Sequence, residues 1–305
     1  MVQTKLESAI EVVVNVLIGY AVATASQIMI FPLFGIFLPL SDNLLIGAYF
    51  TAISIVRGYV VRRFLIGKHM KYMGSKNRIA KHILPIMLAE AEKHNITTWV
   101  EPFVGGGNMI DKVPSTFRRI GADLNGHTIK ALVDIRDKPN LLPEKFTFEE
   151  RKFWRDQEPT EFMSWACIVT SFGADLLGGY AREAGSDDST FCGYGKRNAL
   201  KQSPKIQDVE FICCSYLDLT DKITNSIIYC DPPYQNTTGY KTGQFNHEEF
   251  FDWCRLMKSK GNVVFVSEYN APDDFELVWQ GEIKTNFSST RKSATHNAVE
   301  KLFKV

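Results

Sequence analysis

The segment Ser226-Ile-Ile-Tyr-Cys-Asp-Pro-Pro-Tyr234 brings together a carboxylate, a proline carbonyl and an aromatic ring where the chain must turn. Ile227 to Cys230 is a short apolar run and predicts a buried strand. Two consecutive prolines cannot continue a central strand, so the chain leaves the sheet at Asp231. In open α/β sheets the C-terminal strand ends are where ligands bind. The Asp231 carboxylate and the Pro232 carbonyl are two neighbouring acceptors, suited to holding both N–H bonds of an exocyclic amine. Such a nitrogen, adenine N6 for example, is a poor nucleophile because its lone pair is delocalised into the ring. Holding both hydrogens draws it toward a tetrahedral shape and frees the pair for attack on a methyl donor. Tyr234 could stack on a base taken out of a duplex. The same four residues also fit a plain strand and proline turn whose aspartate caps a neighbour.

A second stretch narrows the choice. Trp99-Val-Glu-Pro-Phe-Val-Gly-Gly-Gly-Asn108 predicts a strand running into a glycine loop that opens a helix. Gly105 to Gly107 let a backbone approach a ligand where a Cβ would collide. The pattern is neither G-x-G-x-x-G nor a P-loop, since no Lys-Ser/Thr follows. Further on, Arg119-Ile-Gly-Ala-Asp123 reads as a strand ending in an acid, the position that takes ribose hydroxyls. A glycine loop followed by a ribose acid describes a nucleoside cofactor site whose tail need not be a phosphate.

With these motifs in order, the chain from Met70 onward resembles the Dam-type (D12 class) adenine-specific DNA methyltransferases. Lys71-Tyr-Met-Gly-Ser-Lys76 resembles the family's N-terminal cofactor motif, and Glu101-Pro-Phe-Val-Gly-Gly-Gly107 its main S-adenosylmethionine loop. Asp123-Leu-Asn125 resembles its ribose motif, Ser215-Tyr-Leu-Asp218 precedes Asp231-Pro-Pro-Tyr234, and Val264 to Asn270 resembles the strand that follows. The resemblance implies a Rossmann-like α/β methyltransferase sheet with a helical target-recognition insert, S-adenosyl-L-methionine as cofactor, and double-stranded DNA as partner. It implies that Tyr72 and Lys76 line the methionine end of the cofactor, with Glu101 and Phe103 beside it and Gly105 and Gly107 in the loop. Asp123 would take the ribose, Leu124 and Tyr216 would sandwich the cofactor adenine, and Asp231, Pro232 and Tyr234 would hold the target adenine. Each also has a plainer reading: Tyr72 and Tyr216 as core aromatics, Lys76 as a solvated helix residue.

Composition sets broader bounds. The 305 residues suffice for one large domain and a smaller one, and the net charge of +1 means that any DNA-binding face is local. Six cysteines without C-x-x-C pairs and six scattered histidines suggest neither a metal site nor a disulfide framework.

Residues 1–69 differ sharply from the rest. Val12 to Ser41 carries no charge, and a second uncharged run spans Asn43 to Val56, with Pro32 and Pro39 bracketing the turn. The first run exceeds the roughly 20 apolar residues that cross a bilayer. The second crosses if Arg57 snorkels to an interface. Small residues in both runs permit close helix packing. The expected structure is a transmembrane α-helical hairpin, with Ser41 or Asp42 capping its second helix. Lys5 on one flank and Arg57, Arg62, Arg63 and Lys68 on the other place both ends in the cytoplasm, at a bacterial inner membrane. A water-soluble hairpin within an oligomer and a cleaved signal sequence are the alternatives, and export would part the domain from DNA. The segment also resembles small hydrophobic phage proteins of unknown function.

Residues 70–305 form the second predicted domain, with helices over Arg78 to His94 and Asn125 to Arg136. Residues 138–207 read as the recognition insert: helices over Phe148 to Gln157 and Glu161 to Leu176, then a polar, glycine-bearing loop to Arg197. Tyr180, Arg182, Lys196 and Arg197 there, and Arg291 and Lys292 near the end, are the candidate DNA contacts. A solvated charged face reads the same way. The insert lacks the R-x-N…F-N-x-P pattern of GATC-specific members. Gln235 to Gln244 reads as a lid, Asn246 as the cap of a helix through Lys258, Val263 to Ser267 as a strand, and Phe275 to Trp279 and Val299 to Val305 as closing strands. Two rival readings remain at this point: an N4-cytosine or RNA amino-methyltransferase, and a membrane module carrying a degenerate methyltransferase-like domain.

Overall fold

The computed structural model describes residues 5–65, 75–171, 179–181, 191–234, 245–285 and 296–305. Tyr72, Arg182, Arg291, Lys292 and the expected lid over 235–244 lie outside these residues. The chain divides into two compact units, residues 1–66 and 67–305.

The first unit is a helical hairpin. Helix α1 (Lys5–Ile30) runs into a 3-10 turn, Phe31–Phe34, and helix α2 (Leu40–Leu65) follows. Gly35 closes the turn in the left-handed region at φ 73°, where a side chain would be strained. Helix α2 begins at Leu40, so Ser41 and Asp42 both lie inside its first turn rather than capping it. The Asn43 amide donates back to the Leu38 and Pro39 carbonyls and secures the start of the helix. Between the helices, the Tyr20 hydroxyl donates to the Leu44 carbonyl at 3.1 Å, and Gly47 leaves room for the Thr24 side chain. Leu17, Val22, Leu33 and Phe37 point outward and are exposed. The span Val16–Phe34, with mean hydropathy 1.7, is long and apolar enough to cross a membrane; the apolar part of α2, Leu40–Val56, is shorter.

The second unit is built on a seven-stranded sheet. Its strands are β1 (Thr98–Glu101), β2 (Arg118–Asp123), β3 (Val209–Cys213), β4 (Ile227–Cys230), β5 (Val263–Ser267), β6 (Glu276–Thr285) and β7 (His296–Lys304). The order across the sheet is β3-β2-β1-β4-β5-β7-β6. Strands β1 to β5 pair in parallel, and β7 runs antiparallel to both neighbours. This is a Rossmann-like α/β sheet. Side chains alternate faces, as the strand period requires. Trp99, Ile227, Tyr229 and Phe265 join one apolar core, while Val100, Ile228, Cys230 and Val264 join the other. Burial on both faces explains why β4 and β5 read as unbroken apolar runs.

Helices α3 (Ala80–Lys93), α4 (Gly126–Asp137), α5 (Phe148–Trp154), α6 (Met163–Val169) and α7 (Phe191–Gln202) precede β3, and α8 (His247–Ser259) precedes β5. The Asn125 and Asn246 side chains accept the His127 and Glu249 amides and cap α4 and α8. Helices α5 and α6 are shorter than their sequence suggests, α6 beginning only after Phe162 at φ 61°. The stretch expected as a loop up to Arg197 is instead helical from Phe191. Its glycine Gly195 is a packing device: a Cβ there would come within 2.9 Å of the Trp165 ring. Strand β3, which the sequence did not reveal, exposes Glu210 and lies at the sheet edge beside β2.

Candidate active site

Strands β1 and β4 are parallel neighbours, with Val100 opposite Ile228. Their C-terminal ends therefore release the Pro102–Gly107 loop and the Asp231-Pro-Pro-Tyr234 turn side by side at one edge of the sheet. This is the crevice where strand order reverses direction, the usual ligand site of such sheets.

The glycine loop is held from two sides. The Asp123 carboxylate, at the end of β2, accepts the Gly105 amide at 3.0 Å with one oxygen and the Asn125 amide at 2.9 Å with the other. Burial raises the Asp123 pKa, and these two donors partly restrain it. From the opposite side the buried Gln202 amide, the last residue of α7, donates to the Gly106 carbonyl at 2.9 Å. Gly107 sits at φ 66°, and a Cβ there would lie 3.1 Å from the Leu132 side chain.

Beside the loop stands an aromatic wall. The Phe103 ring lies 5.5 Å from Tyr216, 5.8 Å from Phe245 and 5.6 Å from Phe250. Tyr216 is 9% exposed and packs on Trp253 as well, whereas Leu124 is 59% exposed just past Asp123. Glu101, at the end of β1, is buried and accepts the Trp99 indole N–H at 2.9 Å. Burial pushes its carboxyl up to about 8. Two left-handed glycines, a strand-end acid and an aromatic wall are the parts a nucleoside cofactor requires, and S-adenosylmethionine fits these residues.

On the other side, Lys76 reaches in from a 3-10 turn that Ser75 caps. Its buried ammonium lies 3.1 Å from Asp231 Oδ1 and 3.7 Å from Glu300 Oε2, and 4.5 Å above the Tyr234 ring. The Tyr234 hydroxyl donates to Glu300 at 2.7 Å, and its ring meets Tyr269 edge-on. Burial alone would lower the Lys76 pKa, but Asp231 and Glu300 outweigh it and hold the ammonium above its ordinary value. Burial pushes Asp231 up to about 6 against the pull of Lys76, and Glu300 adds to the rise. One cation thus faces two carboxylates.

A scan of family descriptions matches residues 72–163 and 180–296 to the D12 class N6 adenine-specific DNA methyltransferases. The chain belongs to this family. Residues 2–71 match a separate family of unknown function, DUF7220. The DNA adenine methylase of Vibrio cholerae is 26% identical over 237 residues, covering 67% of this chain and 84% of the relative. That of Haemophilus influenzae is 28% identical over 207 residues, covering 58% and 68%. The type II methyltransferase M.FokI of Planomicrobium okeanokoites is 22% identical over 65% of this chain but only 35% of its own length. The protein is an S-adenosylmethionine-dependent DNA methyltransferase that methylates adenine at N6, and the rival readings are not favoured.

Within this methyltransferase, the structure gathers Lys76, Asp231 and Tyr234 into one cluster, and Phe103, Gly105, Asp123 and Tyr216 into the adjoining wall and loop. The described DNA candidates Tyr180, Lys196 and Arg197 have other partners. The Tyr180 hydroxyl donates to the Phe146 carbonyl at 2.5 Å, Lys196 pairs with Glu144, and the exposed Arg197 stacks on the Tyr194 ring at 4.6 Å. Sequence reasoning missed Glu300, Gln202 and His247. Glu300 carries one signal, an acid at a buried position of a late apolar strand; Gln202 carries none. Among the described residues no cluster of His, Cys, Asp and Glu could hold a metal ion.

Proposed function

We propose that Asp231 and the Pro232 carbonyl accept the two N6–H bonds of an adenine flipped out of duplex DNA, with Tyr234 against the base. Supporting this most directly is the side-by-side departure of the Asp231 turn and the glycine loop from β4 and β1. Lys76 keeps the Asp231 carboxylate ionised and oriented. Asp123 takes the ribose hydroxyls of the cofactor, Phe103, Leu124 and Tyr216 flank its adenine, and Tyr72 and Glu101 line its methionine end. Bound S-adenosylmethionine supplies the methyl group as an electrophile. Once methylated, N6 carries one proton too many, and Asp231, with a pKa of about 6, accepts it and passes it to water. Positioning and polarisation by these fixed groups provide the acceleration.

In this reading Tyr180, Arg182, Lys196, Arg197, Arg291 and Lys292 face the duplex and its phosphates. The outward apolar side chains of α1 and α2 favour a hairpin that tethers the cytoplasmic domain to the bacterial inner membrane. The deciding experiment incubates unmethylated genomic DNA with the protein and cofactor, then digests it to nucleosides. N6-methyldeoxyadenosine is expected with the natural chain and none with Asp231→Ala, whose cofactor binding stays near wild type. Unimpaired turnover by that variant overturns the assignment.

A further inference from the structure

We propose that His247 is a positioning residue for methyl transfer, tying the amine-holding turn to the aromatic wall on the cofactor side. The inference rests on the reading that Asp231 and Pro232 hold N6. His247 opens α8, directly after its cap Asn246. Its Nε2 lies 2.9 Å from the Pro233 carbonyl oxygen. A carbonyl only accepts, so Nε2 carries the hydrogen and donates it. The same nitrogen lies 3.8 Å from Oε2 of Glu268, a fully buried carboxylate past β5 whose other oxygen accepts the Tyr269 amide at 2.7 Å. At 3.8 Å this anchored acid is beyond hydrogen-bond reach, so the single Nε2 hydrogen goes to the Pro233 carbonyl.

The opposite contact is apolar. The His247 ring meets Phe245 edge-on at 4.9 Å, and Phe245 in turn lies 5.8 Å from Phe103 and 6.0 Å from Tyr216. One imidazole therefore touches both halves of the site. The turn needs such a tie. Proline rings lock φ at Pro232 and Pro233, and Pro233 also restricts ψ at Pro232, but ψ at Pro233 is left free. A hydrogen bond on the Pro233 carbonyl removes that freedom at the step that hands the chain to Tyr234, whose ring and hydroxyl belong to the Lys76–Glu300 cluster. His247 touches neither expected substrate, so its loss acts on geometry. A misplacement of about 1 Å costs on the order of 100-fold in rate.

The test uses the full chain, tritiated S-adenosylmethionine and unmethylated genomic DNA. His247→Phe keeps the ring beside Phe245 and deletes the N–H. Its kcat is expected to fall about 100-fold with KM for cofactor and DNA nearly unchanged, and His247→Gln, whose amide reaches the carbonyl, recovers to within about 10-fold. A wild-type kcat in His247→Phe, a loss confined to KM, or a folded His247→Gln no better than His247→Phe each overturns the proposal. If His247→Phe does not fold, His247→Gln is compared with the shorter His247→Asn. Gln is expected to be faster, and equal rates overturn the proposal. Asp231→Ala separates the two levels. An active Asp231→Ala defeats the reading of the turn, whereas an inactive one beside a full-rate His247→Phe defeats only the role of His247.

Discussion

The Glu300 carboxylate accepts the Tyr234 hydroxyl at 2.7 Å, joining strand β7 to the turn after β4 although β5 lies between them in the sheet. Glu300 also lies 3.7 Å from Lys76, so the lysine that neutralises Asp231 is shared with a second acid. Asp231 therefore sits between a cation that favours its ionised form and an anion that opposes it.

This balance sets a pH dependence. Asp231 must be ionised to accept its N6–H and then take the surplus proton, and its pKa is about 6, so kcat falls as pH drops through that value. Lys76 lowers the Asp231 pKa and Glu300 raises it. Lys76→Met is expected to move the acid limb of the rate profile to higher pH, and Glu300→Gln to lower pH. The kcat–pH profiles of the two variants check the opposite signs.

Glu101 gives stability its own pH dependence. Its folded-state pKa is about 8 against an ordinary 4.5, chiefly through burial. The folded state therefore binds the proton more tightly than the unfolded chain does, and wild-type stability falls as pH rises from about 4.5 through about 8. Glu101→Gln keeps an acceptor for the Trp99 indole and escapes that loss. Its melting temperature is expected to gain on wild type between pH 5 and pH 8, by the equivalent of a few kcal/mol. A gap independent of pH counts against a buried, protonated Glu101.

Gly107→Ala tests the cofactor loop. The positive φ and the 3.1 Å approach to Leu132 force the backbone to shift, at a cost of about 1–3 kcal/mol. Affinity for S-adenosylmethionine, measured by titration calorimetry, is expected to fall about 10-fold or more. The exposed Gly261 also has positive φ but no neighbour within 4 Å. Gly261→Ala is expected to leave affinity unchanged and so controls for strain alone.

The hairpin offers a separate test. Leu17 and Val22 are exposed on α1, within the span of membrane-crossing length. In a membrane, an arginine at either position costs on the order of 2.5–3.5 kcal/mol. The full-length Leu17→Arg/Val22→Arg chain is expected to leave the membrane pellet on sedimentation, while the natural chain stays in it. Equal partitioning of both defeats the tether.

The sequence made some of this legible and hid the rest for physical reasons. Strands β4 and β5 were readable because burial on both faces leaves an unbroken apolar run, and the prolines after Cys230 marked where the chain leaves the sheet. Strand β3 was not, because an edge strand alternates and Glu210 interrupts its apolar character. Helix α7 was misread as a loop because Gly193 and Gly195 are poor helix formers, yet Gly195 is required for the close approach to Trp165. Gln202 and His247 were invisible for a different reason. Each bonds backbone carbonyls outside its own element, and no spacing rule encodes such a partner. Lys76 and Asp231 were each named from motifs, but the acid that shares Lys76 lies on β7, far in sequence from both.

Strand β7 inserts between β5 and β6 although all six other strands precede it in the chain. A ribosome translating this message therefore exposes the glycine loop, Lys76 and Asp231 before Glu300 has been made. Until that residue leaves the exit tunnel, the Tyr234 hydroxyl has no acid to anchor it and the sheet has an open edge beside β5. The strand that covers this edge of the sheet is thus also the one that delivers the carboxylate to Tyr234 and Lys76.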